Sequence, residues 1–149
     1  MAGKKTYLVP VDFSKSSEIA LDHAIQLARA NKAGLILLHI MDQSSMVMAA
    51  PEGVTPALYL EYEKSVRQEA ERDMQTLLKK KKLGAKAGRA LFVRRGDPAR
   101  AIANQAKRLK ASMIVMGSHG RTGLKRLVLG SVAERTLRYA RCPVLIVKK

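Results

Sequence analysis

The stretch Met116-Gly117-Ser118-His119-Gly120-Arg121-Thr122-Gly123-Leu124-Lys125-Arg126-Leu127-Val128-Leu129-Gly130-Ser131-Val132 decides how the chain reads. Its glycines follow the spacing Gly-x2-Gly-x9-Gly-Ser. The run leaves an apolar, strand-like segment, Met113 to Met116, and opens a helix-like one at Ser131. Glycine lets backbone approach a bulky anion with no Cβ in the way. A helix N-terminus offers unpaired N–H groups and the positive end of the helix dipole. Together these make a phosphate cradle, and the leading expectation is a nucleotide-binding protein. The spacing is neither a Walker A loop nor the Gly-x-Gly-x-x-Gly dinucleotide fingerprint.

Outward from this run, strand and helix signals alternate. Tyr7 to Val11 reads as a first strand and Ser14 to about Ala30 as a helix, with Leu21, Ala24, Ile25 and Ala28 on one face. Leu35 to Ile40 is a continuous apolar run, the mark of a strand covered on both faces. Residues 42 to 55 read as a loop. Thr55-Pro56 is a cap followed by proline at the first helical position. A stripe of Tyr59, Tyr62, Val66, Ala70, Met74 and Leu77 then continues the helix, and Gly84 stops it. Ala90 to Val93 is the third strand. Gly96-Asp97-Pro98 starts a helix with Ile102, Ala106 and Leu109 inward. Met113 to Met116 is the fourth strand. Ser131 opens a last helix with Ala133, Leu137 and Ala140 on its apolar face, and Val144 to Val147 is a fifth strand. Five strands alternating with four helices predict an α/β fold with a parallel sheet and helices on both faces. Ligands in such sheets bind beyond the carboxyl ends of the strands, at the switch point of strand order. Asp12, Ile40 and the glycine run all fall at that rim.

The chain has 149 residues, 28 Lys and Arg against 12 Asp and Glu, and a formal charge of +16. Its length suits one domain with a real core. The field attracts anions without naming one. Aromatic residues make up 4% with no Trp, too few for base-stacking platforms. No nucleic-acid-binding signature appears, so nucleic acid is the less favoured partner. Lys79 to Lys82 reads either as a solvated helix end or as a docking patch. No apolar run is long enough to span a bilayer and the N-terminus lacks a signal-peptide pattern; the expectation is a cytoplasmic protein with no membrane insertion. Cys142, the only cysteine, reads as a small apolar residue. No histidine pair has metal-ligand spacing, and no metal-binding or catalytic residue is assigned.

The chain resembles the universal stress protein family, in its ATP-binding branch. The resemblance rests on Val9-Pro10-Val11-Asp12-Phe13-Ser14, Leu37-Leu38-His39-Ile40, Gly96-Asp97-Pro98, Met116-Gly117-Ser118-His119-Gly120, Leu129-Gly130-Ser131-Val132 and Cys142-Pro143-Val144. It covers nearly all residues and implies a single domain over 1–149. It implies a three-layer α/β/α, Rossmann-like fold of the adenine nucleotide alpha hydrolase-like type, with a five-stranded parallel sheet in the order 3-2-1-4-5. By resemblance, Gly117 and Gly120 form the loop that wraps the phosphates, with Ser118 and His119 inside it, and Met116 and Arg121 are counted among the nucleotide-binding residues. Gly130, Ser131 and Val132 form the helix start that donates N–H groups. Asp12 meets the ribose or a metal-bound water, and Pro10, Val11 and Ile40 wall the adenine. The cofactor implied is ATP or another adenine nucleotide, with Mg²⁺ as a companion ion. The partner implied is a second copy of the chain, joined through Val144 to Val147. The role implied is a regulatory stress-response module, with slow ATP hydrolysis as the enzymatic alternative.

Simpler readings stay open beside these. Ser131 with Glu134 fits a capping box. Asp12 fits a helix cap, and the glycines fit plain turns. Arg121, Lys125 and Arg126 fit exposed loop cations. His39, inside an apolar strand, reads as a hydrogen-bonded core histidine. His119 reads as a substrate contact at most.

Overall fold

In the computed structural model the described residues are 5–41, 52–84, 89–93, 96–120 and 128–148. The loop expected at 42–55 falls mostly outside them, and Arg121, Lys125 and Arg126 fall wholly outside. The elements run β1 (Thr6–Pro10), α1 (Lys15–Asn31), β2 (Gly34–Ile40), α2 (Pro56–Lys80), β3 (Arg89–Val93), α3 (Pro98–Arg108), β4 (Met113–Gly117), α4 (Ser131–Tyr139) and β5 (Val144–Val147). The strands form one sheet in the order β3-β2-β1-β4-β5. Every described pairing is parallel, with Leu8 opposite Ile36 on one side and Ile114 on the other. The chain winds outward from β1 to β3, returns across β1 and continues through β4 and β5. The reversal of winding therefore lies between β1 and β4.

Alternate strand residues feed two cores. On one face Tyr7, Val9 and Val11, with Leu35 and Leu37, meet Ala20, Leu21, Ala24 and Ala28 of α1 and Met74 and Leu77 of α2. On the other, Leu8, Leu38, Ile114 and Met116 meet Ile102 and Ala106 of α3 and Ala133 of α4. Burial on both faces is why the strands read as unbroken apolar runs. The first strand was expected to reach Val11. It ends at Pro10, but Val11 still donates its N–H to Leu38 O at 2.8 Å and stays buried.

Capping fixes where the helices begin. Ser14 Oγ accepts from the Ser17 N–H at the start of α1. Thr55 and Asp97 do the same for α2 and α3, each followed by proline in the first turn. The last helix departs from expectation in two ways. Its N-cap is Gly130, with no side-chain cap, so the Ser131–Glu134 capping box does not form. Glu134 pairs with Arg138 at 2.8 Å instead. Nor does Leu137 join Ala133 and Ala140 on the inward face. Leu137 is 43% exposed, whereas Thr136 is fully buried. The nine-residue helix is rotated so that i+3, not i+4, points at the sheet, and the Thr136 methyl fills the place expected of leucine.

The stripe on α2 also divides. Ala70, Met74 and Leu77 are buried, but Tyr59, Tyr62 and Val66 are only half-buried. The Lys79 to Lys82 run is partly spoken for. Lys80 Nζ lies 2.9 Å from Glu18, and Lys81 Nζ 2.7 Å from Asp22, tying the end of α2 to α1. The Lys80 ammonium holds the Glu18 carboxyl below the usual carboxylate range.

α1 sits unusually close to β4. A Cβ on Gly117 would collide with the Ser16 hydroxyl and lie 2.9 Å from the Ser16 carbonyl. The glycine is thus needed for helix-on-strand packing, whatever else it touches. Gly117→Ala is expected to cost about 2 kcal/mol, as overpacking does, and to lower Tm by about 6 °C. Thr136 gives a change of opposite sign. Its hydroxyl is buried with no hydrogen-bond partner among the described residues. Thr136→Val removes the orphaned group at nearly constant shape, and should add about 1 kcal/mol and raise Tm by about 3 °C. Thermal unfolding of the two variants checks both.

Candidate functional site

The site begins where β1 ends. Asp12 Oδ1 accepts from the Ser14 N–H at 3.0 Å, so Asp12 braces the turn while Ser14 performs the capping of α1. Between them Phe13 takes φ 63°, a left-handed conformation. For a side chain of this bulk that conformation costs about 1 kcal/mol. Its ring packs against the first core and lies 4.7 Å from the ring of His39. His39 Nδ1 sits 2.8 Å from the Val11 carbonyl, and since a carbonyl only accepts, Nδ1 carries the proton. His39 is thus a hydrogen-bonded, buried histidine, and its bond fixes the turn that presents Asp12.

The opposite wall comes from β4 and α4. Ser118 N–H donates to Val147 O at 3.1 Å, which carries β4 pairing one residue past the strand. Ser118 O accepts from the Gly130 N–H at 2.7 Å. This bond stitches the two halves of the glycine motif together. A Cβ on Gly130 would lie 2.9 Å from Ser118 O and 3.3 Å from His119 Cα. Only glycine permits so close an approach. Gly120 faces Asp12 in the same way, with Oδ2 at 3.1 Å from a notional Cβ. The end of β1 and the turn after β4 thereby touch. The Ser118 hydroxyl and His119 Nδ1 are 2.8 Å apart. His119 Nε2 is buried with no hydrogen-bond partner among the described residues.

Between these walls lies a cavity of about 670 Å³. That is within the range of small-molecule sites, roughly 300–1,000 Å³. It opens at the carboxyl ends of β1 and β4, where the winding reverses. Of the residues singled out from sequence, Pro10, Val11, Asp12, Ile40, Met116, Gly117, Ser118, His119, Gly120, Gly130, Ser131 and Val132 all line it. Arg121 lies outside the described residues. Sequence reasoning missed a whole wall: Tyr62, Val66, Glu69, Ala70 and Asp73 of α2. These fall at i, i+4, i+7, i+8 and i+11, so the shared face was visible as periodicity. Its use as a roof was not. Phe13, Ser17, His39 and Met41 complete the lining near β1 and β2.

Electrostatically the cavity is unexpected for so basic a chain. Among the described residues no Lys or Arg lines it, while Asp12, Glu69 and Asp73 do. Among the described residues, the groups suited to an anion here are amides and the α4 dipole. Because α4 starts without a side-chain cap, the N–H groups of its first turn are not consumed by a hydroxyl or carboxylate. No group of three His, Cys, Asp or Glu among the described residues is arranged to hold a metal ion. Cys142 is far from this chemistry: it packs into the second core, and burial pushes its thiol above the ordinary cysteine range. Among the described residues no helix is long and apolar enough to cross a membrane.

Comparison with known proteins agrees with this architecture. The sequence model of the Universal stress protein family matches residues 4–148. Universal stress protein MJ0531 of Methanocaldococcus jannaschii is 40% identical over 147 residues, covering 97% of this chain and 82% of its own length. The solved structure of MJ0577 from the same organism superposes with a TM-score of 0.81 at 31% identity, covering 97% of this chain and 96% of that one. A universal stress protein in complex with cAMP superposes with a TM-score of 0.59 at 27% identity, covering 96% of each chain. With a family match over nearly its whole length and a parallel three-layer fold to go with it, this chain belongs to the universal stress protein family.

Proposed function

We propose that the chain is a single regulatory domain that binds an adenine nucleotide, ATP foremost, in the cavity between β1, β4 and α2. The observation that carries this reading is the uncapped start of α4, locked against Ser118 by the Gly130 amide and opening into a cavity of nucleotide size. A family member with cAMP bound supports the adenine half of the assignment.

In this reading Pro10, Val11 and Met116, with main-chain groups of Ile40, form the adenine wall. Asp12 meets the ribose or a water on Mg²⁺. Gly117, Ser118, His119, Gly120 and Arg121 surround the phosphates. Gly130, Ser131 and Val132 donate N–H groups to them. The fit has two marks. The absent Cβ of Gly130 lets the start of α4 close onto the Ser118–His119 turn at the cavity wall. The orphaned His119 Nε2 is a polar atom awaiting a partner; when the Ser118 hydroxyl donates to Nδ1, Nε2 bears the proton and donates outward. If Mg²⁺ accompanies the nucleotide, Asp12 is the carboxylate that would hold it through a water, and the ion would supply charge to offset the phosphates.

Ser131 supplies a sharp test. It is the first residue of α4, and Gly130 before it has ψ 148°, a conformation that tolerates a following proline. Proline is welcome at the first helical position because that N–H has no helical partner. Ser131→Pro therefore keeps the helix but removes one amide donor and the hydroxyl. Calorimetry on the native protein should show saturable heat with ATP; a silent titration at millimolar ATP overturns the reading. In Ser131→Pro, Tm should hold while ATP affinity falls roughly 10- to 100-fold, the worth of hydrogen bonds to a charged group. In Ser131→Ala, which keeps the amide, the loss should be smaller.

We also infer assembly as a homodimer through β5. The strand is at the sheet edge, and Val144, Leu145 and Ile146 are only half-buried. An apolar edge with open backbone groups invites pairing. Sedimentation equilibrium should return twice the 16.4 kDa chain mass, and Ile146→Lys should return one; a native protein that sediments as one chain rejects the dimer.

A further inference from the structure

A second concavity, of about 220 Å³, lies between α3 and α4 and shares no lining residue with the first. Its lining is Arg100, Ala103, Asn104, Lys107, Tyr139 and Arg141. The first four fall at i, i+3, i+4 and i+7 of α3, a single helix face, and the last two close it from the end of α4. Ala103 is buried and keeps the floor low. Asn104 adds an amide and Tyr139 a phenol, so polar edges surround a small apolar base.

The charges here are uncompensated. The Arg100 guanidinium stacks 4.7 Å from the Tyr139 ring centroid, which holds it in place. Asp97, the nearest acid in sequence, is engaged by Arg135 at 2.7 Å and by the Arg100 N–H at 3.2 Å as the cap of α3. Among the described residues Arg100, Lys107 and Arg141 have no ion-pair partner. Three like charges collected around a hollow repel one another, and the repulsion is relieved when an oxyanion enters. Guanidinium forks match phosphate oxygens in pairs, and lysine adds a mobile point charge. The hollow is smaller than the roughly 300 Å³ floor for drug-sized ligands. It suits a phosphate or pyrophosphate group rather than a whole nucleotide.

We propose that this groove is a second anion site, separate from the nucleotide cavity, that takes a phosphate group. The group can belong to a free phosphorylated compound or to a nucleic-acid strand laid across the groove, and the two sources are separable by experiment. Backbone amide NMR of the full chain, titrated with inorganic pyrophosphate, should show saturable shifts at Asn104, Lys107 and Tyr139. The double variant Lys107→Gln/Arg141→Gln alters only exposed side chains and should lose those shifts, with the rest of its spectrum unchanged. A parallel titration uses a mixed-sequence single-stranded RNA octamer. If the octamer binds through the same residues more than tenfold tighter than pyrophosphate, the source is a polymer; if pyrophosphate binds as tightly, it is a free phosphate compound. With three cations engaged, octamer affinity should fall about 20-fold as salt rises from about 50 to about 200 mM. Shifts confined to Gly117, Gly130 and Ser131, shifts at Asn104 that survive in the double variant, or no shifts with either probe overturn the proposal.

Discussion

The hydrogen bond from the Gly130 amide to the Ser118 carbonyl, 2.7 Å long, is the constraint on which the site depends. It joins the exit of the interior strand β4 to the entry of α4 across nearly the whole glycine motif. Together with Ala133 in the second core, it fixes the start of the helix relative to β1. The bond requires Gly130, because any side chain would press on the carbonyl it binds. It uses the amide of Gly130 itself, while α4 has no side-chain cap on the amides that follow. The amides of the first turn can then serve something other than the protein.

That economy bears on the charge distribution. A chain of +16 might be expected to concentrate cations around a phosphate site. Among the described residues the main cavity instead carries three carboxylates and no Lys or Arg. Amides and a helix dipole contribute fixed partial charges that need no counter-ion and cannot be titrated away. The formal charges lie elsewhere. Some tie α2 to α1 through Glu18 and Asp22, and others collect in the groove between α3 and α4.

Much of this was legible in the residues alone. Cap-plus-proline pairs at Thr55-Pro56 and Asp97-Pro98 located two helix starts, since both signals act within one turn. Unbroken apolar runs announced a parallel sheet covered on both faces. The rim residues Asp12, Ile40 and Gly130 line one cavity because topology brings strand ends together. Other features depended on tertiary geometry. Ser131-x-x-Glu134 has the form of a capping box, but the helix begins one residue too early to use it. Leu137 and Thr136 exchange places through a small rotation that periodicity over nine residues does not resolve. The α2 roof escaped because a helical stripe shows which residues share a face, not how much of the helix overlies the sheet.

The overhang of α2 has a mechanical corollary. Its buried anchorage lies in the second half: Ala70, Met74 and Leu77 in the core, with Lys80 and the following Lys81 clamped to α1. The leading turns, with Leu58 and Leu60 bared to solvent, form a cantilever over the opening. Local opening is easiest where few apolar contacts are buried. Amide exchange along this one helix should therefore be graded, fast at Leu58 and slow at Leu77. The roof is thus firmest where Met74 and Leu77 root it in the core, and firmness falls away toward its first turn.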